Sequence, residues 1–285
     1  MPAATLRERL ARVGSCTTTA GPRQASPEFQ QLMERIERLR RTARSRQTPM
    51  HASAMAGALG ARIIEPGLLL IERRFPVWHR HGRVPIGTLR GVVACDGSGK
   101  AAERSRPIYL DTETTGLAGG TGTIAFMVGL AQLNTDALLV RQYLITTFGA
   151  ERAMLQRVSG ELSAAGAIVS FNGKSFDLPL LATRLRLHGL HSPLQSLAHV
   201  DALHLLRRTH GANLPDCRLK TAEQMLLGFV RRDDLPGSEA PDAWRRLIKD
   251  GDASQIARVA KHNRDDLLSL AGLHAVLVRM AAATA

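Results

Sequence analysis

Three apolar runs stand close together in the middle of this chain: PIYLDTE from residue 107, TIAFMVGLAQL from residue 123 and ALLVRQYLIT from residue 137. Each is short, rich in β-branched and aromatic residues, and bounded by glycine or polar turn residues, which is the pattern of a strand. Asn134-Thr135-Asp136 supplies a tight turn between the second and third. After them the pattern alternates. AERAMLQRVSGEL reads as a helix, AIVSF as a buried strand, the segment from Asp177 as a helix and HVDAL as a short strand. The remainder is mainly helical, with TAEQ at 221–224 predicted as a capping-box start. Consecutive strands followed by alternating helices and strands require a mixed sheet with helices on its faces, so the fold class is α/β.

The first 106 residues read differently. Ser26-Pro27-Glu28 predicts a helix start, and Phe29, Leu32, Met33, Ile36 and Leu39 give the helix over 27–46 one apolar stripe. Residues 60–92 read as β-rich, and 94–106 as a small polar linker. The expected division is therefore a basic N-terminal region, 1–106, and an α/β domain, 107–285. His79 and His81 could share a strand face, but with no third ligand nearby they are expected to be structural or to face phosphate.

Charge is unevenly spread. Residues 1–106 carry 19 Lys and Arg against 8 Asp and Glu, and residues 107–285 carry 19 against 17. An excess of this kind draws polyanions without sequence preference, so nucleic acid, DNA or RNA, is the expected partner; the sequence names no protein partner. No apolar run approaches the ~20 residues of a membrane span, and the three scattered cysteines suit a reducing compartment. The expected location is the cytoplasm, with no membrane partner.

The acids carry the chemistry. In YLDTETTG, Asp111 and Glu113 lie two apart on a strand and so share a face, at the strand's C-terminal end where open α/β sheets place ligands. Side-by-side carboxylates repel and take up protons unless a cation neutralises them. Asp177, in FNGKSFD, could cap a helix that has Pro179 in its first turn. The GKS in that segment is not a phosphate loop, because Ile168 stands where the motif needs glycine. In KHNRDD, the stripe Ile256, Val259, Asn263, Leu267 and Leu270 puts Asp266 at the edge of the buried face. Asp265 is then expected on the outer face, in a weak pair with Lys261.

DTETTG, FNGKSFD and HNRDD, in this order and spacing, resemble the DEDD exonuclease superfamily on the ribonuclease H-like fold, and most of all its bacterial YprB-type domains, from about residue 107 to 280. The resemblance implies a 3′–5′ exonuclease whose metal ligands are Asp111, Glu113, Asp177 and Asp266. It implies two divalent ions, and an oxygen-only donor set suits Mg²⁺ or Mn²⁺. Asn172 matches the family's asparagine, and Lys174 and Lys220 are candidates for the substrate backbone. His262 stands four before Asp266, the spacing at which one branch of the family carries a tyrosine, and is the candidate for activating water. Three other functions fit parts of the sequence: a nucleic-acid-binding module with an inactive site, a structure-selective endonuclease, and an aspartyl phosphatase.

Overall fold

The computed structural model describes residues 49–92, 107–116 and 122–283; the helix expected over 27–46 and the linker expected over 94–106 lie outside them. Helix α1 (Pro49–Leu59) leads into strands β1 (Ala61–Glu65) and β2 (Leu68–Pro76), then a small hairpin, β3 (Arg80–His81) and β4 (Val84–Pro85). The three apolar runs form β5 (Pro107–Thr114), β6 (Ala125–Leu133) and β7 (Ala137–Ile145). Helix α2 (Glu151–Ser163), β8 (Ala167–Ser170), α3 (Asp177–Leu187), β9 (Ala198–Asp201) and α4 (Ala202–His210) complete the alternation. The C-terminal part holds α5 (Leu219–Ala222), which passes into a π-helical turn at Glu223–Leu227, then α6 (Ala240–Asp250) and the long α7 (Ile256–Ala283). Among the described residues no helix is long and apolar enough to cross a membrane.

The main sheet has seven strands in the order β1-β2-β7-β6-β5-β8-β9. β5, β8 and β9 run parallel, and every other pairing is antiparallel. The sheet therefore does not respect a division at residue 106. β2 pairs with β7 from Leu68–Ile145 to Pro76–Ala137, so the β-rich segment before the linker is an integral edge of the same sheet. The cause is that β7, with apolar residues on both faces, has a second edge to satisfy, and LLLI in β2 supplies it.

Alternation along β5 divides the core. Ile108 and Leu110 pack in the layer that contains Met154, Leu155, Leu181 and Leu185 of α2 and α3. Tyr109 packs in the layer that contains Leu267, Leu270 and Ala271 of α7. One row across the sheet fixes how α7 lies: Asp111, Gly129 and Gln142 are register neighbours on β5, β6 and β7. Asn263 settles onto this row. Its Nδ2 donates to Asp111 Oδ2 at 2.7 Å, and its Oδ1 accepts from Gln142 Nε2 at 2.8 Å. Gln142 Nε2 also donates to the Ala260 carbonyl at 2.7 Å.

Only glycine fits in the middle of the row. A Cβ at Gly129 would overlap Asn263 Oδ1 and lie 2.8 Å from Leu267 Cδ1. Gly129→Ala is therefore expected to push α7 off the sheet and cost on the order of 1–3 kcal/mol, read as a lower midpoint in denaturant with an unchanged slope. An unshifted midpoint would mean that α7 is free to move.

The capping box expected at Thr221 is not formed. The helical turn begins earlier, at Leu219, and Thr221 Oγ1 donates to Asp216 Oδ1 at 2.6 Å. Trp244 belongs to the core: it is buried, its ring stacks on Phe126 at 5.5 Å, and its Nε1 donates to the Ile145 carbonyl.

Candidate active site

The parallel strands β5, β8 and β9 end on one side of the sheet, and the acids gather there. A β-bulge between Glu113 and Thr114 shifts the β5–β6 register at the site, so that Glu113 pairs with Met127 and Thr114 with Ala125. Asp111 and Glu113 face the α7 side, as their spacing requires, while Thr112 points to the other face and donates its hydroxyl to Asp177 Oδ1 at 2.6 Å. Asp177 is the first residue of α3, not its N-cap; Phe176 holds that position without a side-chain bond. The carboxylate is thus turned away from capping and toward the end of β5.

The loop from β8 to Asp177 is held by Asp201 at the end of β9. Asp201 accepts from the backbone amides of Asn172 at 2.8 Å and Lys174 at 3.1 Å, and caps α4 through the Leu203 amide. Asn172 adopts a left-handed φ of 63°, a conformation asparagine tolerates better than most residues. Asp201 is therefore a buried organiser of the loop. Lys174 and Lys220 are exposed, one on this loop and one on α5.

α7 brings the third segment. Asp111, Thr112, Glu113, Thr114, Gly237, His262 and Asp266 line one cleft of about 210 Å³. The α7 stripe expected from the sequence is buried throughout, and Asp266 lies at its edge in the cleft. Asp265 corrects the expected register on one point. It does pair with Lys261, at 3.1 Å, but it is only 4 % exposed and its Oδ1 also accepts from Arg264 Nε and Nη2. The outer face of α7 is covered here by the β3–β4 hairpin, whose His81 Nε2 lies 2.7 Å from Ser269 Oγ, one turn beyond Asp265. His81 is itself buried, and burial lowers its pKa to about 4, so it is a neutral structural histidine.

Electrostatics single out the same acids. Burial raises the carboxyl pKa of Asp111 well above the usual range, and the charges of Asp266, Asp177 and Glu113 raise it further. Glu113 is raised likewise by burial and by Asp266 and Asp177, with Arg231 pulling the other way. Burial lifts Asp177 to about 6 despite the Thr112 hydrogen bonds. Carboxylates from three distant segments thus feel one another in a site poor in positive charge.

Among the described residues, the cation set deep among them is Arg231, a residue the sequence reading passed over. Its side chain is 3 % exposed, and it pairs with Glu223 through two nitrogens and with Asp266 Oδ1. Burial raises the pKa of Glu223 even with the guanidinium against it, whereas the contacts to Glu223 and Asp266 outweigh burial for Arg231 and raise its own. Removing Arg231 would leave the buried carboxylate of Glu223 and the part-buried one of Asp266 without this counter-charge. Arg231→Met is expected to cost about 3–5 kcal/mol in chemical denaturation. Adding Glu223→Gln should recover part of that loss, and its failure to do so would deny the pair this role.

Asp234 was also missed. Its Oδ1 lies 2.7 Å from His262 Nδ1, and this hydrogen bond holds its carboxyl below the usual range against the effect of burial. Both residues sit in the RRDD run at 231–234, an irregular stretch with no periodicity to mark it. Its only sequence clue is the pairing of bases and acids just ahead of a proline.

Among the described residues no three His, Cys, Asp or Glu side chains are disposed as a ready metal site. Three of the four acids are instead engaged by a neighbour: Asp111 by Asn263, Asp177 by Thr112 and Asp266 by Arg231. The donor chemistry nevertheless fits a hard divalent cation, because the groups are all oxygen donors whose mutual repulsion such an ion would relieve.

A mixed sheet with acids at the shared end of its parallel strands, closed by a helix bearing another acid, defines a ribonuclease H-like domain. The chain belongs to the RNase_H superfamily, whose profile matches residues 108–278. It is similar, at 34 % identity over 215 residues, to the uncharacterized protein YprB of Bacillus subtilis (strain 168). That alignment takes in 72 % of this chain and 52 % of the other, so the chain spans about half the length of this relative. Among solved structures it is similar to the family B DNA polymerase of the hyperthermophilic archaeon Pyrobaculum calidifontis, with a TM-score of 0.49 and 13 % identity over 83 % of this chain and 34 % of that one.

Proposed function

We propose that this protein is a divalent-metal-dependent 3′–5′ exonuclease acting on DNA or RNA. The observation that carries the reading is the meeting of Asp111, Glu113, Asp177 and Asp266, from β5, α3 and α7, with His262 on the cleft that Asp111, Glu113 and Asp266 line. Asp111, Glu113, Asp177 and Asp266 would hold two Mg²⁺ or Mn²⁺ ions. When bound, such ions neutralise the acids and supply Lewis acidity toward the phosphate. His262 takes the proton of the attacking water. Lys174 and Lys220, both exposed, and Asn172 in the loop before Asp177 are placed in this reading against the phosphate backbone. Membership of the superfamily supports nuclease chemistry, and the basic excess before residue 107 supports a polyanionic substrate.

The test is incubation of the full chain with end-labelled single- and double-stranded DNA and RNA, in Mn²⁺, Mg²⁺ or EDTA. Metal-dependent release of mononucleotides from the 3′ end supports the reading. Internal cuts alone would make the protein an endonuclease, and retention of intact substrate would make it a binding module.

A further inference from the structure

His262 meets three charged groups. Its Nδ1 lies 2.7 Å from Asp234 Oδ1 and 3.2 Å from Arg231 Nη1, and its Nε2 lies 3.5 Å from Asp266 Oδ2. A carboxylate oxygen can only accept, so a 2.7 Å contact to Asp234 requires a proton on Nδ1. The alternative, an unprotonated Nδ1 accepting from Arg231, would force two lone pairs together at that distance. Arg231 Nη1 has its own acceptor nearby in Asp234 Oδ2, at 3.7 Å. With the proton fixed on Nδ1, the neutral ring carries its lone pair on Nε2.

That nitrogen has an open approach. His262 lines the cleft with Asp111, Glu113 and Asp266, and the wall beside Nε2 is Gly237, where even a Cβ would lie 3.6 Å away. Asp234 itself is not among the lining residues of the cleft. It stands behind the ring, on the segment between Arg231 and the turn that precedes α6.

We infer that Asp234 is a positioning residue for the reaction: it fixes the tautomer and rotation of His262 so that Nε2 faces the cleft as the proton acceptor. The inference rests on the exonuclease reading for its consequence in turnover, but the tautomer can be read without turnover. A carboxylate behind a histidine is a general means of setting which nitrogen is basic. A histidine in this place is useful as a proton acceptor only with its lone pair turned into the cleft.

Two measurements on the full chain with Mg²⁺ test it. Nitrogen-15 spectra of labelled imidazoles, with His262→Gln identifying the resonance, should show Nδ1 protonated and Nε2 bare in the neutral wild-type ring. Asp234→Asn keeps the shape but can offer an N–H to Nδ1, so it should move the proton to Nε2. In turnover, Asp234→Asn should lower kcat by about 10²-fold with KM nearly unchanged, and Asp234→Glu should recover part of the loss. A wild-type ring with Nδ1 bare, or an Asp234→Asn enzyme with kcat within about threefold of wild type, overturns the inference. A wild type that releases no nucleotide overturns the exonuclease reading instead, and the spectra still decide whether Asp234 sets the tautomer.

Discussion

Asp111→Asn is expected to lower hydrolysis by ~10³-fold or more while the protein stays folded. The amide is isosteric and keeps an oxygen for Asn263 Nδ2, which donates to Asp111 Oδ2 at 2.7 Å, so the contact that seats α7 can survive. What is lost is a negative charge at the point where Glu113, Asp177 and Asp266 already crowd one another. The same change should stabilise the metal-free protein. Burial and neighbouring charge raise the folded-state pKa of Asp111, Glu113 and Asp177, the last to about 6. A raised pKa means stability that is complete below the unfolded carboxylate range and declines as pH rises through the folded value. In EDTA, the wild-type Tm should therefore fall between about pH 4 and the raised values, and Asp111→Asn should flatten that fall. Saturating Mg²⁺ should flatten it for the wild type. Near-normal turnover in Asp111→Asn would falsify the metal assignment, whatever the stability data show.

The second large effect separates adjacent residues. Asp266→Asn should abolish turnover, again by ~10³-fold, because Asp266 shares the cleft with Asp111 and Glu113. Asp265→Asn should leave kcat within a few-fold of wild type but cost about 1–3 kcal/mol of stability. Its carboxylate is buried and serves Lys261 and Arg264 together, so the loss is structural rather than the small surface effect its helix position suggests. Denaturation midpoints and initial rates on the same preparations distinguish the pair. Loss of turnover in Asp265→Asn with normal stability would transfer the catalytic role to it.

The elements that could be read from the sequence are those whose cause is local. Asp111 and Glu113 share a face because a strand alternates, and Asn263 lies on the α7 stripe because a helix repeats every 3.6 residues. Asp265 shows where that logic stops: helix phase gave its direction, but the β3–β4 hairpin that covers it comes from residues nearly two hundred positions earlier. Arg231 and Asp234 lie beyond any periodic argument. They sit in an irregular segment and acquire their roles only through contacts with Glu223, His262 and Asp266. Gly129 is similar: a glycine inside a strand suggests close approach, but only the register with Asp111 and Gln142 shows what approaches.

The placement of β2 against β7 bears on how the chain can be cut and how it emerges from the ribosome. β2 must wait for residues 137–145 before its nine-residue partner strand exists, so its LLLI segment is synthesised well ahead of its cover. A polypeptide beginning at residue 107 would keep every acid of the cleft and yet expose the whole outer edge of β7. An unpaired apolar edge of that length invites strand addition from a second molecule, so such a fragment would aggregate rather than report on catalysis. The smallest useful truncation begins near residue 49, ahead of α1, where α1, β1 and β2 remain attached.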